Sequence, residues 1–347
     1  MTMNLDRFLE TGMVPDFMIR IGIRKLTAQR IADEDPSTEH GRAETLRAHV
    51  EMLRNSPLAV ATEAANDQHY EVPAEFYRLV LGPHLKYSCA LWADGVRSLA
   101  DAEEAMLRLT CERAELEDGQ RILELGCGWG SLSLWMAQRY PASRITAVSN
   151  SRSQKEWIDA RAAERGIGNL EVITCDMRHL ALDRTFDRVV SVEMFEHMRN
   201  YEELLRRVST WLEPGGKLFV HVFSHAHVPY LFLDNGPSDW MSRYFFTGGQ
   251  MPSNDLLPQF QRDLRLAAHH VIDGTHYSWT AAAWLQNMDT HAAEVRRIFA
   301  QTYGERQTTR FFTYWRIFFM AVEEVWGWRG GREWLVSHYL FEKPAAR

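Results

Sequence analysis

The stretch RILELGCGWG, residues 121–130, joins an apolar run to three glycines at every second position. The apolar run predicts a buried β-strand, and residues 131–140 predict a helix that begins directly after Gly130. Glycine lets a backbone come close to a ligand, and the first turn of a helix presents free N–H groups. This stretch therefore predicts a ligand-binding turn between a strand and a helix.

Apolar runs and helical patterns alternate on the C-terminal side of this turn. Further strands are predicted at residues 144–149, 169–176, 186–193 and 216–223, with helices at 153–166 and 201–216. Such alternation is typical of an α/β protein with a Rossmann-like parallel sheet and helices on both faces. The pattern changes after residue 224, where we expect a strand near 264–273, helices near 280–302 and 307–327, and a last strand at 334–342.

The aromatic residues are concentrated in the last third of the chain. Of the 40 Phe, Trp and Tyr residues, 23 fall in residues 226–347. We expect many of them to form an aromatic-rich helical lid, inserted after the fifth strand at about residues 224–330. Residues 1–65 predict a helical arm, whose apolar faces either pack on the rest of the chain or join two copies in a homodimer.

Composition and charge exclude several classes of protein. The formal net charge of −7 and the lack of a basic stripe disfavour a nucleic-acid partner. No run of 18 apolar residues exists, and Asp6, Arg7 and Glu10 interrupt the region where a signal peptide is apolar. The four cysteines form no CxxC pair. We therefore expect reduced thiols in a cytoplasmic protein without a membrane-spanning segment.

The glycine turn favours S-adenosylmethionine over a dinucleotide as its ligand. The third position after Gly128 is Ser131, whereas a dinucleotide turn usually has Gly or Ala there. The second strand ends in Ser-Asn-Ser, residues 149–151, without the carboxylate that holds the ribose of NAD. An acid followed by three alternating glycines, beginning at Glu124, is typical of the S-adenosylmethionine turn. A nucleotide cofactor remains the alternative.

A cluster of titratable side chains follows the fourth predicted strand in VEMFEHM, residues 192–198. Ligands bind at the carboxyl ends of parallel strands, so this cluster should lie beside the cofactor. Glu193, Glu196 and His197 share one face if the segment turns helically. Two carboxylates and an imidazole can orient an ammonium group and remove its proton, so we interpret the three as catalytic. A structural cluster is the alternative; the spacing is not a zinc motif, and we expect no metal.

Longer motifs resemble a known family. The strand order and glycine turn resemble the class I S-adenosylmethionine-dependent methyltransferase fold, and the Tyr-Ser-Cys segment at 87–89 is similar to that of the cyclopropane fatty acid synthase superfamily. Residues 66–343 resemble the coclaurine and related benzylisoquinoline-alkaloid N-methyltransferases. The matching segments are AEEAML (102–107), CERAEL (111–116), GCGWGSLSLW (126–135), VEMFEHM (192–198), RYFFTGGQMPS (243–253), TYG (302–304) and YWRIFF (314–319).

The resemblance extends the cofactor site beyond the glycine turn. The turn itself supplies Glu124, Gly126, Cys127 and Gly128. By resemblance, Asn150 and Gln154 hold the cofactor without the usual acid, Asp176 and Met177 lie at its adenine, and Tyr87 and Ser88 lie at its methionine end.

The resemblance also implies a substrate site. Glu196 and His197 would bind and deprotonate an amine, with Glu193 in support. The residues expected to face the substrate are Tyr70, Glu71, Tyr277, Trp315 and Phe318. Because an aromatic stripe at helical spacing also fits a core helix, core and pocket remain alternatives for Trp315 and Phe318.

Two substrate classes fit the superfamily. Its lipid enzymes hold a bicarbonate ion with residues that match Cys89, Glu196 and Tyr277, so these positions do not distinguish an amine from an unsaturated lipid. The lipid enzymes typically have Phe-Pro-Gly-Gly where this chain has FTGG, residues 246–249, which favours the amine. We therefore expect residues 66–347 to form an S-adenosylmethionine-dependent N-methyltransferase domain, with the cofactor core at about residues 100–223. The expected substrate is a hydrophobic, benzylisoquinoline-like amine, and the alternative is cyclopropanation or methylation of unsaturated phospholipids.

Overall fold

The computed structural model describes residues 9–60, 72–236 and 239–345, in which a seven-stranded sheet forms the centre of the chain. The strands are β1 (Arg121–Leu125), β2 (Arg144–Ser149), β3 (Leu170–Thr174), β4 (Phe186–Val192), β5 (Leu212–His225), β8 (Arg265–Ile272) and β9 (Trp334–Glu342). Two short strands, β6 (Tyr230–Leu231) and β7 (Gln250–Met251), pair with each other outside it. The class I methyltransferase-like α/β fold that the sequence predicts is confirmed.

The strand order is β3-β2-β1-β4-β5-β9-β8. Strands β1 to β5 run parallel, and β9 is antiparallel to both of its neighbours. The order in which the chain adds strands reverses between β1 and β4: β2 and β3 lie on the far side of β1, and β5 lies on the far side of β4. The carboxyl ends of β1 and β4 therefore meet at the point where open α/β sheets bind ligands. The turn after β1 and the cluster after β4 both lie at this point.

Helices cover the sheet and extend the chain on either side of it. They are α1 (Asp16–Glu34), α2 (Glu39–Arg54), α3 (Ala74–Val80), α4 (Leu99–Arg113), α5 (Ser131–Arg139), α6 (Arg152–Glu164), α7 (Tyr201–Trp211), α8 (Trp240–Tyr244), α9 (Thr275–Thr290), α10 (Ala292–Tyr303) and α11 (Glu305–Trp326). Within the described ranges, no helix combines the length and the apolar character that crossing a bilayer requires.

Two boundaries differ from the prediction. The helix predicted within 201–216, with its end in the Pro-Gly-Gly turn at 214–216, already ends at Trp211, because the backbone from Leu212 onward pairs as β5. The single helix expected at 280–302 is two helices, since the backbone turns at His291, where φ is −101° and ψ is 23°. The first break follows from pairing with the distant strand β4, which local periodicity does not reveal.

An aromatic cap lies over the carboxyl ends of the strands. It consists of α9 to α11, inserted between β8 and β9, together with the segment between β5 and β8 that contains α8. The predicted lid range of 224–330 therefore includes one edge strand of the sheet, β8. The buried rings of Trp284, Trp315 and Phe319 belong to the hydrophobic core that joins these helices.

The N-terminal helices pack against the aromatic cap. Arg20 on α1 forms ion pairs of 2.7 and 2.8 Å with Glu323 and Glu324 on α11. On α2, His49 is hydrogen-bonded to Gln250 at 2.8 Å. The outer face of α1 exposes apolar side chains, among them Phe17, which is 64% exposed. The homodimer remains a prediction, and so do the domain boundaries.

Candidate active site

Glycine is required for different physical reasons at the three positions of the turn after β1. Gly126, Gly128 and Gly130 all have positive φ, at 79°, 52° and 79°. A Cβ on Gly126 would lie 2.8 Å from the side chain of Met194, and one on Gly130 would lie 2.6 Å from that of Ile158. A Cβ on Gly128 would meet no described atom within 4 Å. Gly128 therefore leaves space for a ligand, whereas the other two permit close packing.

Two adjoining cavities begin at this turn. The first has an empty volume of about 930 Å³ including its open mouth, and the second about 700 Å³. The predicted site residues that line the first are Tyr87, Ser88, Glu124, Gly126, Cys127, Gly128, Gln154, Glu193, Glu196, His197, Tyr277 and Phe318. The second adds Asn150, Asp176 and Met177. The structure thus brings together all ten predicted cofactor residues and all three predicted catalytic residues.

One predicted substrate residue that the structure describes does not line these cavities. Trp315 lines neither cavity and is buried in the core, where its ring lies 4.7 Å from Phe76 and 5.3 Å from Phe245, centre to centre. For Trp315 the core alternative fits its position, whereas Phe318, one turn further along α11, lines the first cavity. Tyr70 and Glu71 lie outside the described residues.

Among the predicted cofactor residues, some polar groups are held by hydrogen bonds and one has no partner in the described part of the chain. Ser149 donates a hydrogen bond of 2.6 Å to Oε1 of Gln154. Nε2 of Gln154 is buried and has no partner among the described residues. Asp176 accepts from the backbone N–H of Arg178 at 2.7 Å and from its guanidinium at 2.9 Å, so its carboxylate is held at the end of β3.

Glu124 is buried in the first strand beneath the glycine turn. Ser133 Oγ donates to its Oε2 at 2.5 Å. Burial raises the pKa of this carboxyl to about 8, and the hydrogen bond from Ser133 opposes that rise. Ser133 therefore fixes the orientation of the Glu124 carboxyl beneath the turn.

Glu193 lies directly after β4 with a φ of 47°. Its Oε2 accepts a hydrogen bond of 2.7 Å from the Tyr277 hydroxyl, and its Oε1 lies 3.3 Å from Nε2 of His221 and 3.5 Å from the backbone N of Cys89. Burial raises the pKa of the Glu193 carboxyl to about 7, while the Tyr277 hydrogen bond and the charge of Lys86 oppose the rise.

Glu196 and His197 belong to a short 3₁₀ turn, Phe195–His197, and not to a longer helix. Glu196 is 2% exposed, and its Oε2 has no partner among the residues that the structure describes. Burial, followed by the charge of Glu193, raises the pKa of Glu196 well above its usual range. Nε2 of His197 lies 4.0 Å from Oε1 of Glu196, and its ring is stacked against Phe246.

Lys86 is a buried residue at this site that the sequence interpretation missed. It is 3% exposed, and its Nζ donates to Ser88 Oγ at 2.5 Å and to the Cys89 carbonyl at 2.7 Å. Burial lowers its pKa, and the charge of Glu193 is the largest effect that opposes this shift. Its place directly before the Tyr-Ser-Cys segment was the signal in the sequence. Among the described residues, no group of three His, Cys, Asp or Glu side chains could hold a metal ion.

The chain resembles known proteins over nearly its whole length. Residues 59–324 match the model of the family described as "Mycolic acid cyclopropane synthetase". An (S)-coclaurine N-methyltransferase of Thalictrum flavum subsp. glaucum is 38% identical over 339 residues, which are 96% of this chain and 94% of that protein. A cyclopropane-fatty-acyl-phospholipid synthase of Escherichia coli (strain K12) is 30% identical over 283 residues, covering 80% of this chain and 68% of that protein.

A solved structure gives the same result in three dimensions. The crystal structure of a coclaurine N-methyltransferase bound to N-methylheliamine and SAH superimposes with a TM-score of 0.95 at 36% identity. The match covers 98% of this chain and 99% of that one.

The sheet order, the glycine turn and the two adjoining cavities define a class I S-adenosylmethionine-dependent methyltransferase. The chain belongs to the mycolic acid cyclopropane synthetase family, and within it to the N-methyltransferases similar to the coclaurine enzymes. The resemblance inferred from the sequence motifs is thereby confirmed. The open space at Gly128 and the unpartnered Nε2 of Gln154 fit S-adenosylmethionine as the cofactor.

Proposed function

We propose that this enzyme methylates the nitrogen of a hydrophobic, aromatic amine of the benzylisoquinoline type. The observation that carries this proposal is the pair of buried carboxyls, Glu193 and Glu196, facing the first cavity beside His197 and aromatic walls. The walls include Phe223, Phe246 and Phe318. Aromatic faces attract a planar ring, and the negative quadrupole of each ring attracts a cation.

The carboxyls are suited to an amine that arrives protonated. An alkyl amine has a pKa of about 10.4, so at neutral pH it carries a positive charge and its nitrogen has no free lone pair. In this proposal Glu193 and Glu196 bind the ammonium, and Glu196 with His197 accepts the proton. The charge of the bound ammonium favours the ionised form of Glu196, which burial otherwise disfavours.

The cofactor supplies an electrophilic methyl group when it is bound. We propose that the residues that hold it are the ten predicted ones: Tyr87, Ser88, Glu124, Gly126, Cys127, Gly128, Asn150, Gln154, Asp176 and Met177. Because Gly126, Gly128, Gln154 and His197 line both cavities, a cofactor on this set would lie next to an amine held by the catalytic cluster. Such proximity converts a bimolecular reaction into an almost unimolecular one.

The lipid alternative is disfavoured by the position of one side chain. In the lipid enzymes, residues matching Cys89, Glu196 and Tyr277 hold a bicarbonate ion. Here the Glu193 carboxylate already contacts both Tyr277 and the backbone of Cys89. A built-in carboxylate therefore stands where the bound anion would be needed.

Two coarser proposals accompany this one. We propose a cytoplasmic location, in keeping with Cys89, Cys111, Cys127 and Cys175, which are free thiols in the described residues. We also propose a homodimer that covers the exposed apolar face of α1. Light scattering coupled to size-exclusion chromatography would contradict the dimer if it gave the mass of one chain.

A mass-spectrometric screen with methyl-labelled cofactor tests the main proposal. It offers benzylisoquinolines, simple phenethylamines and vesicles of unsaturated phospholipid side by side. We expect the label on the nitrogen of the benzylisoquinoline. Label in the acyl chains alone would overturn the proposal, and label on the phenethylamine alone would remove the benzylisoquinoline part of it.

A further inference from the structure

A line of buried hydrogen bonds leads from Glu193 to an arginine at the end of α4. Nε2 of His221 lies 3.3 Å from Oε1 of Glu193, and Nδ1 of His221 lies 2.8 Å from Nε2 of His338. Nδ1 of His338 in turn lies 2.8 Å from Nη1 of Arg113. The two histidines are paired in register on β5 and β9, and both have no exposed surface. We refer to Arg113, His338 and His221 as the histidine relay.

The two ends of this relay determine the direction of every hydrogen bond within it. An arginine can only donate, so Nδ1 of His338 must accept. In a neutral imidazole the other nitrogen then carries the proton, so Nε2 of His338 donates to Nδ1 of His221, and Nε2 of His221 donates to Glu193. Burial lowers the pKa of both histidines well below the usual range, which keeps both rings neutral.

The opposite direction is disfavoured. A proton on Oε1 of Glu193 would donate to Nε2 of His221 and reverse both tautomers. Nδ1–H of His338, which has no exposed surface, would then face an N–H of the partly buried Arg113, so that two donors met. A donor on the buried ring of His338 that lacks an acceptor is unfavourable. The relay therefore opposes protonation at this oxygen.

We propose that Arg113 and His338 are positioning residues for methyl transfer, which fix His221 as a hydrogen-bond donor and hold the Glu193 carboxylate ionised and oriented at the cavity. Neither residue lines the two cavities in the described part of the chain. The role of these residues in catalysis rests on the proposed N-methyltransferase site. The direction of the hydrogen bonds in the relay, which we call its polarity, does not depend on that site.

Other groups also face Glu193. Tyr277 on α9 donates to its second oxygen, and the charge of Lys86 favours its ionised form. The carboxyl of Glu196 on the neighbouring turn and the buried thiol of Cys89 repel it when they are ionised. The relay adds a donor from the β5 and β9 side, on the oxygen that Tyr277 does not reach.

Nuclear magnetic resonance of isotope-labelled histidine in the full chain tests the polarity directly, without substrate. We expect His221 and His338 both to carry their proton on Nε2 at neutral pH. His338→Gln assigns the His338 signal by its loss. A proton on Nδ1 of either ring, or a doubly protonated ring, would overturn the relay.

A pair of variants tests its role in turnover. Gln at position 338 can accept from Arg113 and donate to His221, whereas Leu can do neither. We expect His338→Leu to lower kcat about tenfold, the typical loss for one hydrogen bond to a charged group, and to move the acid limb of the pH profile to higher pH. His338→Gln should retain most of the wild-type kcat, and the acid limb of its pH profile should stay at the wild-type pH. S-adenosylmethionine affinity should be unchanged in both.

His40→Gln is the control, since His40 lies on α2, is exposed and takes no part in the relay. Wild-type rates and pH profile in His338→Leu would overturn the role in catalysis, and so would equal losses in His338→Leu and His338→Gln. If no amine is methylated by any form of the enzyme, the proposed function fails, while the tautomers still decide the polarity of the relay.

Discussion

The Tyr277 hydroxyl donates a hydrogen bond of 2.7 Å to Oε2 of Glu193. This bond joins α9 of the aromatic cap to the segment after β4, and so links the cap to the sheet at the proposed catalytic residues. It also raises the pKa of the tyrosine, for which burial is the largest cause and the charge of Glu193 the next. Tyr277 is therefore expected to remain a donor throughout the working pH range.

Tyr277→Phe should impair turnover by removing this donor from a buried carboxylate. We expect kcat to fall by about 10- to 100-fold, with little change in S-adenosylmethionine affinity, because a hydrogen bond to a charged group contributes about 1.5–3 kcal/mol. Steady-state rates with an aromatic amine and calorimetry with the cofactor measure the two quantities. Tyr303→Phe, on α10, is the control and should behave as wild type; equal rates for both variants would contradict the role of Tyr277.

The pH dependence of wild-type kcat/KM should have an acid limb near pH 7. The pKa of Glu193 is raised to about 7, so below that pH the carboxyl is protonated and cannot stabilise an ammonium. Activity should therefore rise as pH increases through 7, while the amine itself remains charged until about pH 10. Glu193→Gln should lack this limb. A wild-type profile that falls, or stays flat, through this range would contradict the assignment.

Gly128→Ala should weaken the cofactor more than the fold. The new Cβ would project into the space that the two cavities share, with no described protein atom within 4 Å. We expect the Kd of S-adenosylmethionine to rise at least about tenfold, while the positive φ costs roughly 1–2 kcal/mol of stability. Gly166→Ala is the matched control, because Gly166 also has positive φ, at 65°, and open space. Equal cofactor affinity in both variants would remove Gly128 from the site.

Substitutions of Phe318 and Trp315 should differ in their effect on the KM for the amine, because only Phe318 lines the first cavity. Phe318→Ala opens the wall of the first cavity, so we expect the KM for the amine to rise several-fold. Trp315→Leu leaves a void in the core and should lower the free energy of unfolding by about 2–4 kcal/mol, with a smaller effect on KM. Thermal unfolding and amine kinetics on both variants provide the comparison. A larger rise in KM for Trp315→Leu would reverse the assignment.

The sheet and the cofactor turn could be predicted because their signals are local. The strand bounds 144–149 and 334–342 agree with β2 and β9, since a short apolar run between turn residues fixes its own limits. The glycines of the turn after β1 are likewise adjacent in sequence. The reason for each glycine could not be read from the neighbouring sequence. Gly126 and Gly130 are required by close contact with Met194 and Ile158, and both of these residues are distant in the chain.

The parts that escaped prediction depend on packing between distant segments. Trp315 and Phe318 lie one turn apart on α11 and are both buried in the core, but only Phe318 also lines the first cavity, a difference that depends on packing with distant segments. His221 and His338 are far apart in sequence and meet through the antiparallel pairing of β5 with β9. Periodicity carries no signal for such contacts.

The rate of methyl transfer in a single turnover of Glu196→Gln and His197→Ala tests the central claim most directly. The enzyme is first saturated with S-adenosylmethionine, whose Kd is measured for each variant, and an aromatic amine is then added. We predict that the rate falls by about a hundredfold or more in each variant, as expected for the loss of a general base, while the Kd of the cofactor changes little. Transfer at the wild-type rate in both variants would contradict the claim that these two residues bind and deprotonate the amine.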